Sequence, residues 1–297
     1  MPEVNSVDNE PIAAPRNAPL ELKLRIMLRN WPYPEFREIL SKEAREGKDY
    51  KCSSVFKRLY GYLRALELHR AGLSYNEVAG AVRGEVGFRP SKSELSYWLR
   101  GVCTPLGRMS VFDVHQPEVG LIMGLVLSDG NEHRCYHRGR IDHTRGELYN
   151  SDEALLEMFR EVCDKLGLST YRRRCETGFK LEYWRAETTS TLLYLLLKRF
   201  DEFITKAPAD VQQEFIKGLW LGDGCLSVCE LRNTDLRIIN VVSTLLKMHG
   251  VEHSVLGPYP PCGLGKKPMY AVYVWKQSRE RFLKLTGLTE SPPRLVQ

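Results

Sequence analysis

Two glycine-rich segments, each ending in Asp-Gly, constrain the fold of this chain more than any other feature. The first reads GLIMGLVLSDG from Gly120 to Gly130, and the second reads FIKGLWLGDG from Phe215 to Gly224. Glycine inside a helix costs up to about 1 kcal/mol, so a helix with several glycines needs a compensating close contact. Glycines four residues apart form a smooth stripe on one helix face. We therefore predict two helices in near-direct contact through four glycines: Gly120, Gly124, Gly218 and Gly222.

The aspartates of the two segments, Asp129 and Asp223, are 94 residues apart. If the helices pack side by side, both carboxylates lie at helix C-termini, where backbone carbonyl groups also point. Carboxylate and carbonyl oxygens are the ligands that a hard divalent cation prefers, and two adjacent carboxylates repel each other without one. The sequence thus predicts an Mg²⁺ site made by Asp129, Asp223 and the preceding residues Ser128 and Gly222. A single copy of the segment would equally fit a buried apolar helix capped by Asp-Gly.

The same order of elements follows both segments. Apolar periodicity predicts helix, strands, helix, two strands and helix from Pro117, and again from Ala209. Only Gly224 to Asn233 separates the second segment from its next helix, so the first hairpin of that repeat must be very short. We expect four regions: a lead over residues 1–19, a helical domain over 20–112, and repeats over 113–208 and 209–297. Internal duplication is the basis of this division.

The two segments resemble the paired motifs of single-chain LAGLIDADG homing endonucleases. Ile122–Gly130 and Ile216–Gly224 align with the nine-residue motif, although Leu127 and Leu221 stand where the family has an acid at its sixth position. The resemblance covers about residues 117–290. It implies an α+β fold: two pseudo-symmetric αββαββα repeats with curved antiparallel sheets that straddle DNA, here preceded by a small all-α domain. It also implies metal-assisted hydrolysis of both DNA strands by Asp129 and Asp223.

The resemblance further implies a basic residue near the end of the last strand of each repeat, close to the scissile phosphates. Arg185 follows Tyr183-Trp184, and Lys276 follows Val274-Trp275. Each could stabilise the developing phosphorane charge. The alternative is an ordinary surface cation.

Several polar side chains of the predicted hairpins are candidates for DNA contacts. In the strand after Asp129 we expect the face with His133, Cys135 and His137 to point outwards, by analogy with Ser227 and Cys229 in the second repeat. The spacing of these side chains matches no common zinc site. Whether the basic residues contact phosphates or guanine edges, or merely form a solvated strand edge, stays open. The DNA-binding candidates of the two repeats are His133, His137, Arg172, Arg174, Lys180, Ser227, Tyr259, Lys266 and Lys267.

The region before the repeats predicts a helix-turn-helix. Helical spacing runs from Ser53 to Ala71, and capping-box pairs begin two short helices at Ser74 and Ser91. The exposed face of the last helix would carry Lys92, Ser96 and Arg100, which could contact DNA. A connector from Arg83 to Pro90 is longer than is usual for this motif, and a small helical bundle is the alternative. Gly101 to Gln116 has the composition of a linker.

Composition agrees with a nucleic-acid partner without requiring one. The formal net charge is +6, and Lys51 to Arg100 alone carries about +5 when Lys, Arg, Asp and Glu are counted. Eight scattered cysteines without a CxxC pair indicate reduced thiols, which fits the cytoplasm of a prokaryotic, archaeal cell. The longest apolar run is too short for a membrane span.

The sequence therefore predicts a monomer that binds double-stranded DNA and cleaves it with Mg²⁺, since the internal duplication replaces a dimer. Two alternatives are a non-cleaving transcription regulator with the same fold and an intron maturase that binds RNA. An intein is disfavoured because the chain starts Met1-Pro2 and ends Leu295-Val296-Gln297, without the residues that splicing requires.

Overall fold

The computed structural model of the protein describes residues 11–47, 50–137, 140–176, 182–261 and 266–289, with backbone only at 50–53, 133–137 and 140–143. The chain divides into two compact units. One contains the described residues up to Val114 with two short segments, Tyr136–Asp142 and Asp164–Ser169, and the other contains the rest.

In the described residues up to Val114, the first unit has five α-helices, a short 3₁₀ helix (Pro105–Arg108) and one short strand pair. Strand β1 (Ala13–Ala14) precedes helices α1 (Leu20–Asn30), α2 (Pro34–Glu46), α3 (Tyr50–Arg70), α4 (Tyr75–Val86) and α5 (Lys92–Leu99), and strand β2 (Val111–Phe112) pairs antiparallel with β1. This strand pair is the one departure from the expected all-α architecture of this region.

Both predicted capping boxes form. The Ser74 N–H donates to the Glu77 carboxylate at 2.8 Å, and the Ser91 N–H donates to the Glu94 carboxylate at 3.0 Å. Helix α4 continues to Val86 and ends at Gly87, whose φ of +67° suits glycine. The connector to α5 is therefore Gly87–Ser91, shorter than the sequence indicated, which brings this pair nearer to helix-turn-helix geometry.

The segment that resembles a linker, Gly101 to Gln116, is instead packed into its surroundings. Leu106, Val111, Phe112 and Val114 are fully buried. The Asn30 side chain holds its end, because Nδ2 donates to the Phe112 carbonyl at 2.8 Å and Oδ1 accepts from the Val114 N–H at 3.1 Å. The glycines and the proline of this segment indicated turns, whereas the apolar residues between and after them are buried.

The chain after Val114 forms two copies of one αββαββα pattern, most of which belongs to the second unit. The first copy runs through α6 (Pro117–Asp129), β3 (Gly130–His137), β4 (Arg140–Asn150), α7 (Glu153–Lys165), β5 (Thr170–Glu176), β6 (Glu182–Thr189) and α8 (Thr191–Lys198). After the short helix α9 (Phe200–Phe203), the second copy runs through α10 (Ala209–Asp223), β7 (Gly224–Cys225), β8 (Glu230–Asn233), α11 (Leu236–Met248), β9 (His253–Tyr259), β10 (Met269–Val274) and α12 (Arg279–Thr286). The predicted α+β class with duplicated repeats is confirmed.

Each copy forms a four-stranded antiparallel sheet with the same strand order, β3-β4-β6-β5 and β7-β8-β10-β9. Directly paired residues share a face, so the registers assign every side chain to one side. Leu148, paired with Ala186, and Leu231, paired with Val272, are buried on the helix face of their sheets. We call the opposite side the open face. It carries Glu147, Tyr149, Arg185, Glu187, Tyr171 and Arg173 in the first sheet, and Glu230, Arg232, Ala271, Tyr273, Ser254 and Leu256 in the second.

Helices α6 and α10 pack through their glycines, as the sequence predicts. A Cβ atom added at Gly120 would lie 2.0 Å from the Val211 carbonyl oxygen, and one at Gly124 would lie 2.4 Å from that of Phe215. From the other helix, a Cβ at Gly218 would lie 2.6 Å from the Leu121 oxygen. Real Cβ contacts are never this short, so the backbones touch at a distance that only glycine permits.

This contact makes a stability prediction. Gly124→Ala should lower the free energy of unfolding by about 1–3 kcal/mol, because the methyl group must push two backbones apart. The matched control is Gly80→Ala in α4, where an added Cβ meets nothing within 4 Å. Alanine there should be neutral or stabilising by up to about 1 kcal/mol through its helix propensity. Urea denaturation followed by circular dichroism measures both, and equal effects at the two positions would contradict the close packing.

Candidate metal centre and nucleic-acid interface

The two aspartates end α6 and α10, and each is held by an asparagine from the sheet of its own repeat. Nδ2 of Asn150, the last residue of β4, donates to Asp129 Oδ2 at 2.7 Å. Nδ2 of Asn233, the last residue of β8, donates to Asp223 Oδ2 at the same distance. One oxygen of each carboxylate is thereby fixed, and its orientation follows from the sheet.

Each asparagine also ties its aspartate to the next helix. Oδ1 of Asn150 accepts from the Asp152 N–H at 2.8 Å, and Oδ1 of Asn233 accepts from the Asp235 N–H at 2.7 Å. The tripeptides Asn150-Ser-Asp152 and Asn233-Thr-Asp235 thus have one role in both repeats. Sequence reasoning missed them, although a search for the same Asn-Ser/Thr-Asp pattern ahead of an equivalent helix in each repeat would have found them.

The electrostatic environment opposes negative charge on both carboxyl groups. Burial raises the pKa of Asp223 to about 6; the hydrogen bond from Asn233 acts in the opposite direction, and the negative charge of Asp129 adds to the rise. Burial also raises the pKa of Asp129, against the effect of the hydrogen bond from Asn150. Because each aspartate is held by a neutral amide, its charge is oriented without being neutralised.

Such a pair of carboxylates fits a hard divalent cation. The unused carboxylate oxygens are donors that such a cation prefers, and the cation would stabilise the ionised form of Asp223, whose pKa is raised by burial and, to a smaller extent, by the charge of Asp129. Within the described part of the chain, no group of three or more His, Cys, Asp or Glu side chains could hold a metal. Backbone carbonyl, water or phosphate oxygens would complete the coordination.

The two other predicted metal ligands lie against each other at the helix ends. A Cβ added at Gly222 would lie 2.2 Å from Ser128 Oγ and 3.2 Å from Asp129 Cγ. The Ser128 hydroxyl donates back into its own helix, 3.0 Å from the Gly124 carbonyl oxygen and 3.1 Å from that of Leu125. Its side chain therefore serves the helix, and only the backbone carbonyl groups of Ser128 and Gly222 stay candidates for ligation.

Arg185 is not the free cation at a strand end that the sequence indicated. It is the fourth residue of β6, with 14% of its side chain exposed, and its guanidinium lies 2.7 Å from Glu187 and 3.6 Å from Glu147. Although burial acts to lower the pKa of Arg185, these two carboxylates raise it. Arg145 also pairs with Glu187 at 3.0 Å, so the charges of the cluster cancel.

Lys276 is likewise misplaced for a role at the metal centre. Asn233, which holds Asp223, is opposite Tyr270 at the start of β10. Lys276 comes six residues later (276 − 270), beyond the end of the strand, and a strand of that length spans about 20 Å. Arg185 and Lys276 are also not equivalent, because the register that pairs Asn150 with Trp184 makes Ala271 the counterpart of Arg185.

The pairing of β5 corrects the choice of arginines in the first sheet. Arg172 is opposite Ala186 and Arg174 is opposite Trp184, so both belong to the helix face. Arg172 binds Glu153 of α7 at 2.8 Å and stacks over the Trp184 ring at 4.0 Å, while Arg174 pairs with Glu182. The open face instead carries Arg173 and Tyr171, the latter 66% exposed.

The remaining DNA-binding candidates have varied positions. Ser227, Tyr259, Lys266 and Lys267 are exposed, and Tyr259 is paired with Met269 at the edge of the second sheet. In the first unit, Lys92 and Arg100 are exposed and Ser96 is partly exposed on α5, opposite buried Leu95 and Trp98. The side chains of His133 and His137, and all of Lys180, lie outside the described residues.

A cleft of about 790 Å³ opens beside Asp223. It is lined on one side by Ser128, Gly130, Asn131 and Glu132 of the first repeat. Its cationic lining residues are Lys198, Arg232, Arg237 and Lys267. Sequence reasoning did not select Lys198, Arg232 or Arg237: Lys198 comes from the first repeat, and Arg232 and Arg237 are brought near Asp223 by the pairing of Asn233 with that aspartate.

Similarity to known proteins is low at the level of sequence. No family model matches the chain. It is 22% identical over 200 residues to the uncharacterized protein MJ0398 of Methanocaldococcus jannaschii, a match that covers 66% of this chain and 72% of that protein. Among the described residues, no helix is both long and apolar enough to span a membrane.

Three solved structures illustrate the structural similarity. The homing endonuclease I-DmoI in complex with DNA and Mn has a TM-score of 0.48 and 18% identity, over 59% of this chain and 98% of that one. I-WcaI bound to its DNA recognition sequence has a TM-score of 0.41 and 12% identity, over 58% of this chain and 82% of that one. The N-terminal LAGLIDADG domain of DUF199/WhiA has a TM-score of 0.40 and 8% identity, over 59% of this chain and 84% of that one. At these values the function has to be argued from the residues of this chain.

The raised pKa of Asp223 predicts how stability depends on pH without a divalent cation. The folded state holds a proton on Asp223 up to about pH 6, whereas the ordinary pKa is 3.8. Protonated Asp223 therefore contributes to the free energy of unfolding. This contribution is fully present below about pH 4 and is lost as the pH rises through 6, and it amounts to up to about 3 kcal/mol. Asp223→Asn should stabilise the protein at pH 8 in EDTA and have little effect near pH 4.

Denaturation in EDTA at both pH values measures this difference. Asp210→Asn, in the first turn of the same helix, is the control and should be neutral or slightly destabilising, since its charge favours the helix N-terminus. A destabilising effect of Asp223→Asn at pH 8 would show that the carboxylate is not under the repulsion described above.

Proposed function

We propose that the protein is a LAGLIDADG-type, site-specific DNA endonuclease that makes a double-strand break with a divalent cation. The observation that carries the proposal is the pair of aspartates at the ends of two directly packed helices, each oriented by an asparagine from its own sheet. Two similar sheets with open faces accompany this pair, which is the arrangement that the resemblance in sequence implies.

The residues of the centre have distinct roles in this proposal. Asp129 and Asp223 would hold Mg²⁺ or a related cation, which supplies Lewis-acid activation of water and neutralises charge on the scissile phosphate. Asn150 and Asn233 keep the carboxylates in position. Lys267, in the cleft beside Asp223, would offset phosphate charge as the strand approaches.

A non-cleaving DNA-binding regulator is the second candidate, and one observation favours it. The basic residues predicted for catalysis do not supply a free cation at the centre, since Arg185 is paired with Glu147 and Glu187 and Lys276 lies beyond the end of β10. The retained aspartates are the observation against it. The first candidate needs both aspartates as metal ligands, whereas the second does not.

A two-stage selection tests the function. Randomised duplexes are first selected for binding in Ca²⁺, and the selected duplexes, labelled on both strands, are then incubated with Mg²⁺. We expect cleavage of both strands by the native protein, and no cleavage but retained binding by Asp129→Asn and Asp223→Asn, because the amide keeps the shape and loses the charge that holds the metal. Asp210→Asn should cleave normally.

The outcomes separate the candidates. Selected duplexes that are bound but never cleaved would support the regulator and overturn the endonuclease. Cleavage at the native rate by either asparagine variant would show that the two-aspartate centre is wrong. A parallel selection from structured RNA that yields tighter binding than the duplexes would favour a maturase. Sedimentation of the complex should give one chain per duplex, because one chain contains both repeats.

We further propose that α4 and α5 extend DNA binding as a helix-turn-helix. Replacing exposed Lys92 and Arg100 by alanine should weaken binding and reduce the slope of log K against log salt by about 1 for each phosphate that the variant no longer binds. Lys247→Ala, exposed near the end of α11, is the control. Binding isotherms at several salt concentrations measure the slopes, and an unchanged slope would exclude α5 from the interface.

A further inference from the structure

The open faces of the two sheets carry different chemistry at equivalent positions. Asn150 is opposite Trp184 and Asn233 is opposite Tyr270, so the two registers can be superposed through these pairs. Arg185 then corresponds to Ala271 and Glu187 to Tyr273. On the outer strands, Arg173, paired with Arg185, corresponds to Leu256, paired with Ala271. At these three positions charged side chains of the first sheet are replaced by apolar or aromatic ones in the second, whereas Tyr149 and Tyr171 of the first sheet correspond to Arg232 and Ser254.

Several exposed apolar side chains lie on the open face of the second sheet. Leu256, Tyr273 and Tyr259 are 39%, 39% and 38% exposed, and Trp275, which donates from Nε1 to Ser254 at 2.6 Å, is 40% exposed. We call these four residues the apolar patch. Exposed aromatic and aliphatic side chains grouped on one sheet face are uncommon in a soluble protein and indicate a contact surface.

Charge and position favour a nucleic-acid occupant for the patch. Exposed Lys266 and Lys267 precede β10, and Arg232, which pairs with Glu230 at 3.0 Å, is 56% exposed at its side chain on the open face. The first residues of the same β10 lie opposite Asn233, which binds Asp223, so the apolar patch and the metal centre belong to one sheet. A duplex whose phosphates contact the cations would bring the edges of its bases over the apolar side chains.

Thymine is the base whose major-groove edge presents a methyl group, and apolar side chains recognise it. We propose that the apolar patch contacts thymine methyl groups in one half of the DNA target, and that Arg173 reads guanine in the other half. The proposal rests on the function proposed above. It names the base class that each half-site should favour: thymine-rich on the side of the second sheet, and guanine-containing on the side of the first.

The test replaces single thymines of a selected duplex by deoxyuridine, which removes only the methyl group. Binding is measured in Ca²⁺ by fluorescence anisotropy, with deoxyuridine at each thymine on both sides of the cleavage positions. We expect sensitive positions in one half only, each weakening binding about three- to fivefold, as expected for the removal of one buried methyl group. Leu256→Ala and Tyr273→Ala should each abolish sensitivity at the position they contact.

The matched control is Arg173→Ala, at the position equivalent to Leu256. It should leave deoxyuridine sensitivity unchanged and abolish sensitivity to 7-deazaguanine, which lacks the N7 acceptor, in the opposite half. Thermal melting of each variant checks that the fold is retained.

The possible failures can be told apart. If duplexes are bound but deoxyuridine has no effect in either half, this inference is wrong and the proposed function stands. If sedimentation shows dimers of the free protein that Leu256→Arg dissociates, the patch is an interface between copies of this chain and the inference is overturned. If no duplex is bound, the proposed function and this inference both fail.

Discussion

The backbone contact between α6 and α10 is the interaction on which the rest of the second unit depends. Because Gly124 and Gly218 lie against each other's helices without side chains between them, the two helix ends are brought together and their aspartates share one environment. The contact is also the reason that burial and mutual repulsion act together on Asp223. A larger residue at Gly124 or Gly218 would push the two helices apart and so separate the two carboxylates.

Sequence periodicity predicted the helices of this unit well, because each helix buries one apolar stripe. The predicted bounds of α6 and α10, Pro117–Asp129 and Ala209–Asp223, agree with the structure. The bounds of strand β4, in contrast, were not predicted. Its sequence, RIDHTRGELYN, has polar residues on both faces: Arg145 and Glu147 belong to an ion-pair cluster on the open face, and Thr144 and Asn150 lie on the same face as Leu148.

The parts of the site that the sequence did not predict depend on pairing between distant strands. Without the bounds of β4, Asn150 could not be placed, and without the β5–β6 register Arg172 and Arg174 could not be distinguished from Arg173. Alternation within one strand defines two faces but does not say which of them packs on helices. The carboxylates could be predicted because the motif occurs twice, so each copy indicates the aspartate with which the other should pair. A basic residue on a strand has no second copy that would show where it lies.

The electrostatic design of the site follows from what a metal centre requires. An arginine or lysine beside Asp129 would orient the carboxylate but would also neutralise the charge that attracts a cation, and its own positive charge would repel the ion. An asparagine amide supplies the same geometry without either effect, and both repeats use one. One residue further along the strands, Arg185 is neutralised by Glu147 and Glu187. The positive charge of Arg185 is thus compensated within the protein, so that the negative charge of the two aspartates is left for a cation to balance.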